Sequence, residues 1–289
     1  MTRAARRSLT SCWSRWHVPM RISLAFAAAL LLSVESALAQ FQTTLQPATV
    51  KEFSAYAKRV EDQLLDRWQG RQPFVAIDET PVDRAKVLHG ELLIRPGSTP
   101  NPVSISKGLV HDWLGDVFIP NTTVNNVLAV LQDFDRHHKI YPEVVQSRLV
   151  RRKGEDLTGY WRLRQKSPLL PVALDVVQDA HYQEIAPDKW ICRAYANDIS
   201  EIDNPGTTRE KKLPPGQGDG LLWRLYAYWT LEATGGGVLA ESRSLSLTRD
   251  IPLGLAWAIK PLIQNIPRES LESILRNTRT AVTNRAKSK

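Results

Sequence analysis

Apolar, aromatic and β-branched residues run in two blocks, Leu221–Ala233 and Val238–Arg249, parted by Gly235-Gly236-Gly237. Glycine takes up positive φ without steric cost, so the triplet predicts a hairpin turn between two strands. Each arm holds about a dozen residues, roughly 40 Å of strand, well beyond the usual five or six residues. Arms of that length predict a large, strongly bent sheet.

Upstream, Val50, Phe53, Tyr56, Ala57, Val60, Leu64 and Trp68 recur at helical spacing. Thr49 and Glu52 form a capping-box pair ahead of them, and Gly70 ends the helix. Lys86–Arg95, Val103–Lys107 and Leu109–Ile119 have strand character. Asn121-Thr122-Thr123 is placed to cap a helix carrying Val124, Val127, Leu128, Leu131 and Phe134. From Val144 onward helical spacing disappears for over a hundred residues. Val144–Arg152, Leu157–Lys166, Val172–Glu184 and Lys189–Ile202 predict four strands joined by turns at Lys153-Gly154 and Ala186-Pro187-Asp188. Asp203–Gly220 reads as a polar loop before the hairpin. Ile251–Pro267 is apolar but divided by Pro252, Pro261 and Pro267, which predicts short helical pieces and turns. Leu271, Ile274, Leu275 and Val282 place an apolar stripe on a last helix from Glu269 to about Ala286.

A helix, then at least six consecutive antiparallel strands, then a long amphipathic helix is an α+β order. Its economical packing is a curved sheet gripping the final helix, with the space between them open to a ligand. No repeat or linker divides the mature chain.

The 289 residues are 43% hydrophobic and 24% charged, an ordinary globular composition. The N-terminus departs from it. Arg3, Arg6, Arg7, Arg15 and Arg21 precede the apolar run Ile22–Val34, and Ala37-Leu38-Ala39 is a small-x-small site before Gln40. That layout predicts a secretory signal over 1–39, cleaved at Ala39-Gln40, and a periplasmic or secreted product with no membrane span left in it. Met20-Arg21-Ile22 opens a compact signal of its own, so Met20 is a second candidate start. The whole chain has 38 basic and 30 acidic residues; removing five Arg and one Glu leaves 33 and 29, net +4. Without a dense basic stripe, nucleic acid is not an expected partner. Cys12 leaves with the signal, so the mature chain holds only Cys192 and cannot form an internal disulfide.

Candidate chemistry is sparse. No HxH, HExxH or CxxC pattern supports a metal, no GxSxG supports a nucleophile, and the glycine triplet joins two strands rather than opening a helix onto a phosphate. No cofactor is expected. The informative residues are polar or aromatic ones inside long strands: Tyr160 and Arg162, Trp223, Arg224, Tyr228 and Trp229, and Glu241 and Arg243. A charge inside a sheet-lined cavity is costly unless paired, so inward-facing members would form ion pairs or hold a ligand's polar head. The alternative is that they face water on the convex side. A one-residue change of hairpin register sets Trp229 or Thr230 opposite Glu241, on opposite faces, so the pattern leaves the choice open.

Four segments carry a family resemblance: HDWLGDVFIPN from His111, VLAVLQDFDRHHKIYPEVVQSRLVRR from Val127, GLLWRLYAYW from Gly220, and GGGVLAESRSLSLTRDIPLGLAW from Gly235. They resemble exported bacterial proteins of the START-like superfamily (SRPBCC, with Bet v 1-like and polyketide cyclase/lipid-transport members), over about His111–Val282. The resemblance implies a helix-grip domain over 111–289, with 40–110 as an N-terminal extension of helix and strands for which the minimal domain has no equivalent. It implies an apolar or amphipathic small molecule as partner, a lipid among the candidates, held by a binding protein that touches membranes at most transiently. A cyclase or hydratase using the same cavity, with Glu241, Arg243, Tyr228 or His138 as acid or base, is the enzymatic alternative. An envelope interaction module without a ligand is the third.

Overall fold

The computed structural model describes residues 43–165, 172–251 and 256–287, with the side chains of 165, 172, 256–264 and 286–287 outside the description. The expected signal segment and its cleavage site lie outside the described residues.

The long hairpin forms as its pattern requires. β11 (Arg224–Thr234) and β12 (Gly237–Arg249) pair antiparallel from Thr234↔Gly237 outward, so the turn is the two residues Gly235 and Gly236. Both have positive φ, +53° and +87°, as a twist-matched two-residue turn demands. The register sets Thr230, not Trp229, opposite Glu241. Five further long strands flank the hairpin: β4 (Gly108–Pro120), β5 (Val144–Lys153), β6 (Asp156–Gln165), β7 (Val172–Ala186) and β8 (Lys189–Asp203). With β2 (Leu92–Pro96) they make one antiparallel sheet in the order β2-β4-β12-β11-β8-β7-β6-β5. β3 (Val103–Ile105) joins on β4 and β9 (Lys211–Lys212) on β8. The predicted polar loop 203–220 therefore holds strand pairs as well, since β10 (Gln217–Gly218) pairs with β1 (Thr43–Thr44).

Helices cover both faces. On one side lies α5 (Ala256–Lys287), whose Leu271, Leu275 and Val282 pack with Val117, Ala240 and Trp229 of the sheet. This is the helix-grip arrangement, and the stripe on the last helix is its closing element. On the other side α1 (Pro47–Trp68) lays Phe53, Tyr56, Val60 and Leu64 against Val110, Tyr228, Leu239 and Leu245. Residues 47–105 thus cap the outer face of the sheet and add β2 and β3 to it. β12 is buried along nearly all its length because both its faces are covered.

Four local expectations are corrected. The capping box is absent: Pro47 opens α1 two residues before Thr49, in the first-turn position that suits proline. Thr49 Oγ1 instead donates to Ser106 O at 2.7 Å, and Glu52 accepts from Ser106 N at 3.0 Å, tying α1 to the β3 turn. Lys86–Leu88 is not strand but the end of α2 (Pro81–Leu88), because a short apolar run cannot discriminate the two periods. Thr123 stands at the N-cap of α3 (Val124–Leu131) with extended backbone, but its side chain makes no capping bond. Finally, α5 runs unbroken from Ala256 through Pro261 and Pro267. Proline removes one helical hydrogen bond, but its φ near −65° is itself helical, so it need not end the helix.

Cys192 sits on the α5 side of β8, buried, with burial pushing its thiol up to about 12. A thiol held neutral in this way is a small core residue and not a nucleophile.

Candidate functional site

The pleat sorts the central strands into two chemically different walls. Glu241 pairs with Thr230 on one side and Asp116 on the other, so these three share the α1 face, and every second residue from them does too. That wall carries Asp112, Asp116, Tyr226, Tyr228, Thr230, Glu232, Glu241 and Arg243. The opposite wall, facing α5, carries Leu109, His111, Trp113, Gly115, Val117 and Ile119 from β4, with Ser242, Ser244, Ser246 and Thr248 among the β12 residues. Leu225, Ala227, Trp229 and Leu231 continue it on β11. Among the described residues of β4, β11 and β12, no charged side chain lies on this wall.

Of the eight residues singled out in the sequence, only Trp229 therefore faces α5. Tyr228, Glu241 and Arg243 stand under the N-terminal segment, engaged with it. Arg243 grips the buried Asp112 with two bonds, 2.9 and 2.7 Å, and Tyr56 of α1 donates to the same carboxylate at 2.7 Å. Tyr228 and Tyr195 both donate to Glu61 of α1, at 2.9 and 2.8 Å. Glu241 accepts from Ala76 N at 2.7 Å. Trp223 is buried in the same α1-side cluster, and Arg224 donates to the carbonyls of Asn197 and Trp223. Arg162 and Tyr160 meet elsewhere, both on Asp175, with Arg162 also donating to Glu210 at 2.8 Å. His138, the remaining acid/base candidate, lies on the short α4 (His137–Ile140) and bonds Ser147 at an exposed corner.

On the same α1-facing wall a pair of carboxyls, Asp116 and Glu241, sits side by side in register and buried, with Arg95 3.2 Å from Asp116. Burial, then the neighbouring Glu241 charge, raises Asp116 well above the usual carboxylate range. A carboxyl whose pKa is raised on folding stabilises the fold at low pH, and that contribution is lost as pH climbs through the raised value. Asp116→Asn keeps the neutral shape at all pH. Relative to wild type, the variant should therefore gain stability as pH rises above about 4, the ordinary carboxylate value. Urea unfolding of both proteins across a pH series measures this, and a pH-independent difference would contradict it.

The α5-facing wall holds the residues that the sequence reading passed over. His111 and Ser246 are opposite one another across β4 and β12, and the row continues through Leu225 on β11 to Ala196 on β8. Beyond Ala196 lies an apolar cluster of Leu174, Val176 and Ile199, with Trp161 and Leu163 packed on it. At a strand spacing of roughly 4.8 Å, the five steps from β4 to β6 make a strip of roughly 24 Å. Its β4 end is polar. His111 Nδ1, Trp113 Nε1 and Ser246 Oγ are all buried and have no hydrogen-bond partner among the described residues, where buried polar atoms are ordinarily satisfied. His111 Nε2 lies 3.1 Å from Thr248 Oγ1, and burial lowers the imidazole to about 4, so it is neutral near pH 7. A findable signal existed in Ser244-Leu245-Ser246-Leu247-Thr248. Alternation there reads as one wet face, whereas both faces are buried.

The sequence matches no family model and no curated protein. Solved structures that resemble the fold include the Thermus thermophilus protein TTHA0849, at 15% identity over 59% of this chain and 96% of that one, TM-score 0.42. A STAR-related lipid transfer protein from Xanthomonas axonopodis aligns at 18% identity over 61% and 96%, TM-score 0.40. Human STARD10 aligns at 13% identity over 70% and 78%, TM-score 0.39.

Proposed function

We propose that this chain is an exported binding protein for an amphipathic small molecule, a lipid foremost, laid along the α5-facing wall of its sheet. The observation that carries this reading is the composition of the strip: buried polar atoms without a partner among the described residues at one end, and the apolar cluster of Leu174, Val176, Ala196 and Ile199 toward the other. A ligand with one polar end and an apolar body would satisfy the first and cover the second. The C-terminal half of α5 already fills its part of the grip with Leu271, Leu275 and Val282, so the ligand belongs to the part beside His111 and Ala196.

The carrier reading is preferred to the cyclase or hydratase. Glu241, Arg243 and Tyr228 are committed to the N-terminal segment on the far face, and His111, which the three central strands do place on the grip wall, is lowered by burial to about 4, below the range in which an imidazole relays protons best near neutral pH. One preparation tests the proposal. Expressed with its own leader, the protein should be recovered outside the cytoplasm beginning at Gln40, and its organic extract should contain an amphipathic molecule in near-stoichiometric amount by mass spectrometry. Repeatedly empty extracts, together with no uptake of a neutral dye such as Nile red, would sink the carrier reading; an intact Met1 or Met20 would sink export.

A further inference from the structure

We propose that the polar end of the ligand is a single uncharged hydroxyl, seated between His111 Nδ1, Trp113 Nε1 and Ser246 Oγ. The inference rests on the ligand-binding reading above and specifies its chemistry.

The argument is one of donors and acceptors. Thr248 Oγ1 donates to Arg249 O at 3.2 Å, which leaves its oxygen to accept from His111 Nε2–H at 3.1 Å. A neutral imidazole carries one N–H, so Nδ1 is a bare acceptor. Trp113 Nε1–H can only donate, and Ser246 Oγ can do either. The unmet set is thus one acceptor, one donor and one adaptable hydroxyl, presented by neighbours: Ser246 is directly across from His111, and Trp113 is two residues along the same face. A hydroxyl matches all three, donating to His111 and accepting from Trp113 and Ser246.

Charged heads do not match. A carboxylate or phosphate accepts only, and would press its oxygens on the His111 lone pair. An ammonium donates only, and would leave Trp113 unsatisfied. Neither meets a countercharge among the described residues that β4, β11 and β12 place on this wall, since the charged side chains of those strands project the other way. Burying an unpaired charge against it is costly.

The test uses the mature chain and probes of one chain length: tetradecanol, tetradecanoate, tetradecyl phosphate and tetradecylammonium, each competing with Nile red. Tetradecanol should bind at least about tenfold more tightly than any charged probe. Trp113→Phe and Ser246→Ala should each weaken tetradecanol about 2- to 10-fold, as expected for one hydrogen bond. Ser246→Ala removes an unpartnered hydroxyl, so its melting temperature should not fall, which separates binding from folding. If the probes and the dye all fail to bind, the binding reading itself falls and this inference with it. If the dye binds but a charged probe equals or beats tetradecanol, or the two variants retain full alcohol affinity, the hydroxyl inference alone is overturned.

Discussion

Leu275→Asp is expected to leave too little stability for the native fold to persist at 25 °C. Leu275 is fully buried on α5, with Leu271 and Val282 in the same stripe. It packs so closely on β4 that a methyl group added at Gly115 would come within 2.4 Å of its Cδ1 and 2.7 Å of Ile94. Truncating such a leucine costs about 2–5 kcal/mol, and the aspartate adds a carboxylate with no partner in that core. Against a net stability of about 5–15 kcal/mol for a whole protein, the sum is decisive. Arg276 is on the exposed side of the same helix, and Arg276→Ala should change stability by no more than about 0.5 kcal/mol. Urea unfolding followed by circular dichroism distinguishes the two. A Leu275→Asp protein with the wild-type midpoint, or a stable protein truncated after Pro267, would show that α5 is not the closing element.

Arg243→Ala should cost about 3–5 kcal/mol by a different route. The substitution leaves Asp112, wholly buried, with Tyr56 and the Asn101 side chain as its neighbours and no countercharge. It also loses the bonds from Arg243 to Gln63 of α1 and to Gly97 O. The damage should appear first as faster amide exchange in α1. Because Arg243 faces away from α5, Nile red affinity of the folded fraction should stay as in wild type. Replacing both partners, Asp112→Leu with Arg243→Met, should recover much of the loss, since an apolar pair needs no compensation. A single variant costing under about 1 kcal/mol would mean that the buried pair is solvated through the α1 edge.

These two substitutions probe opposite walls of one strand pair, and that division explains what was readable beforehand. The strands from Val144 to Arg249, the glycine turn, α1 and the apolar stripe of α5 follow from local periodicity, and each is present. Periodicity does not decide where it is short or ambiguous, as at Lys86–Leu88, and proline alone does not end a helix, as at Pro261 and Pro267. That Glu241 and Arg243 share a face was also legible, because they stand two residues apart on one strand. The structure adds Tyr228 to that wall and pairs Arg243 with the buried Asp112.

Which wall lines the grip was not legible, and the reason is physical. Alternation along a strand separates two faces but labels one as inside only when the other meets water. Here α1 covers the outer face as fully as α5 covers the inner, so Leu245 and Ser246 are both buried and hydropathy ceases to mark direction. A two-residue turn instead of a three-residue one then decides that Glu241 opposes Thr230 and looks toward α1. The sequence carries the lengths, the hairpin and the helix stripe because these depend on neighbours a few residues apart. The assignment of faces, the sealing of the charges under α1, and the meeting of His111 with Ser246 across 135 positions of chain depend on partners that only the closed sheet brings together.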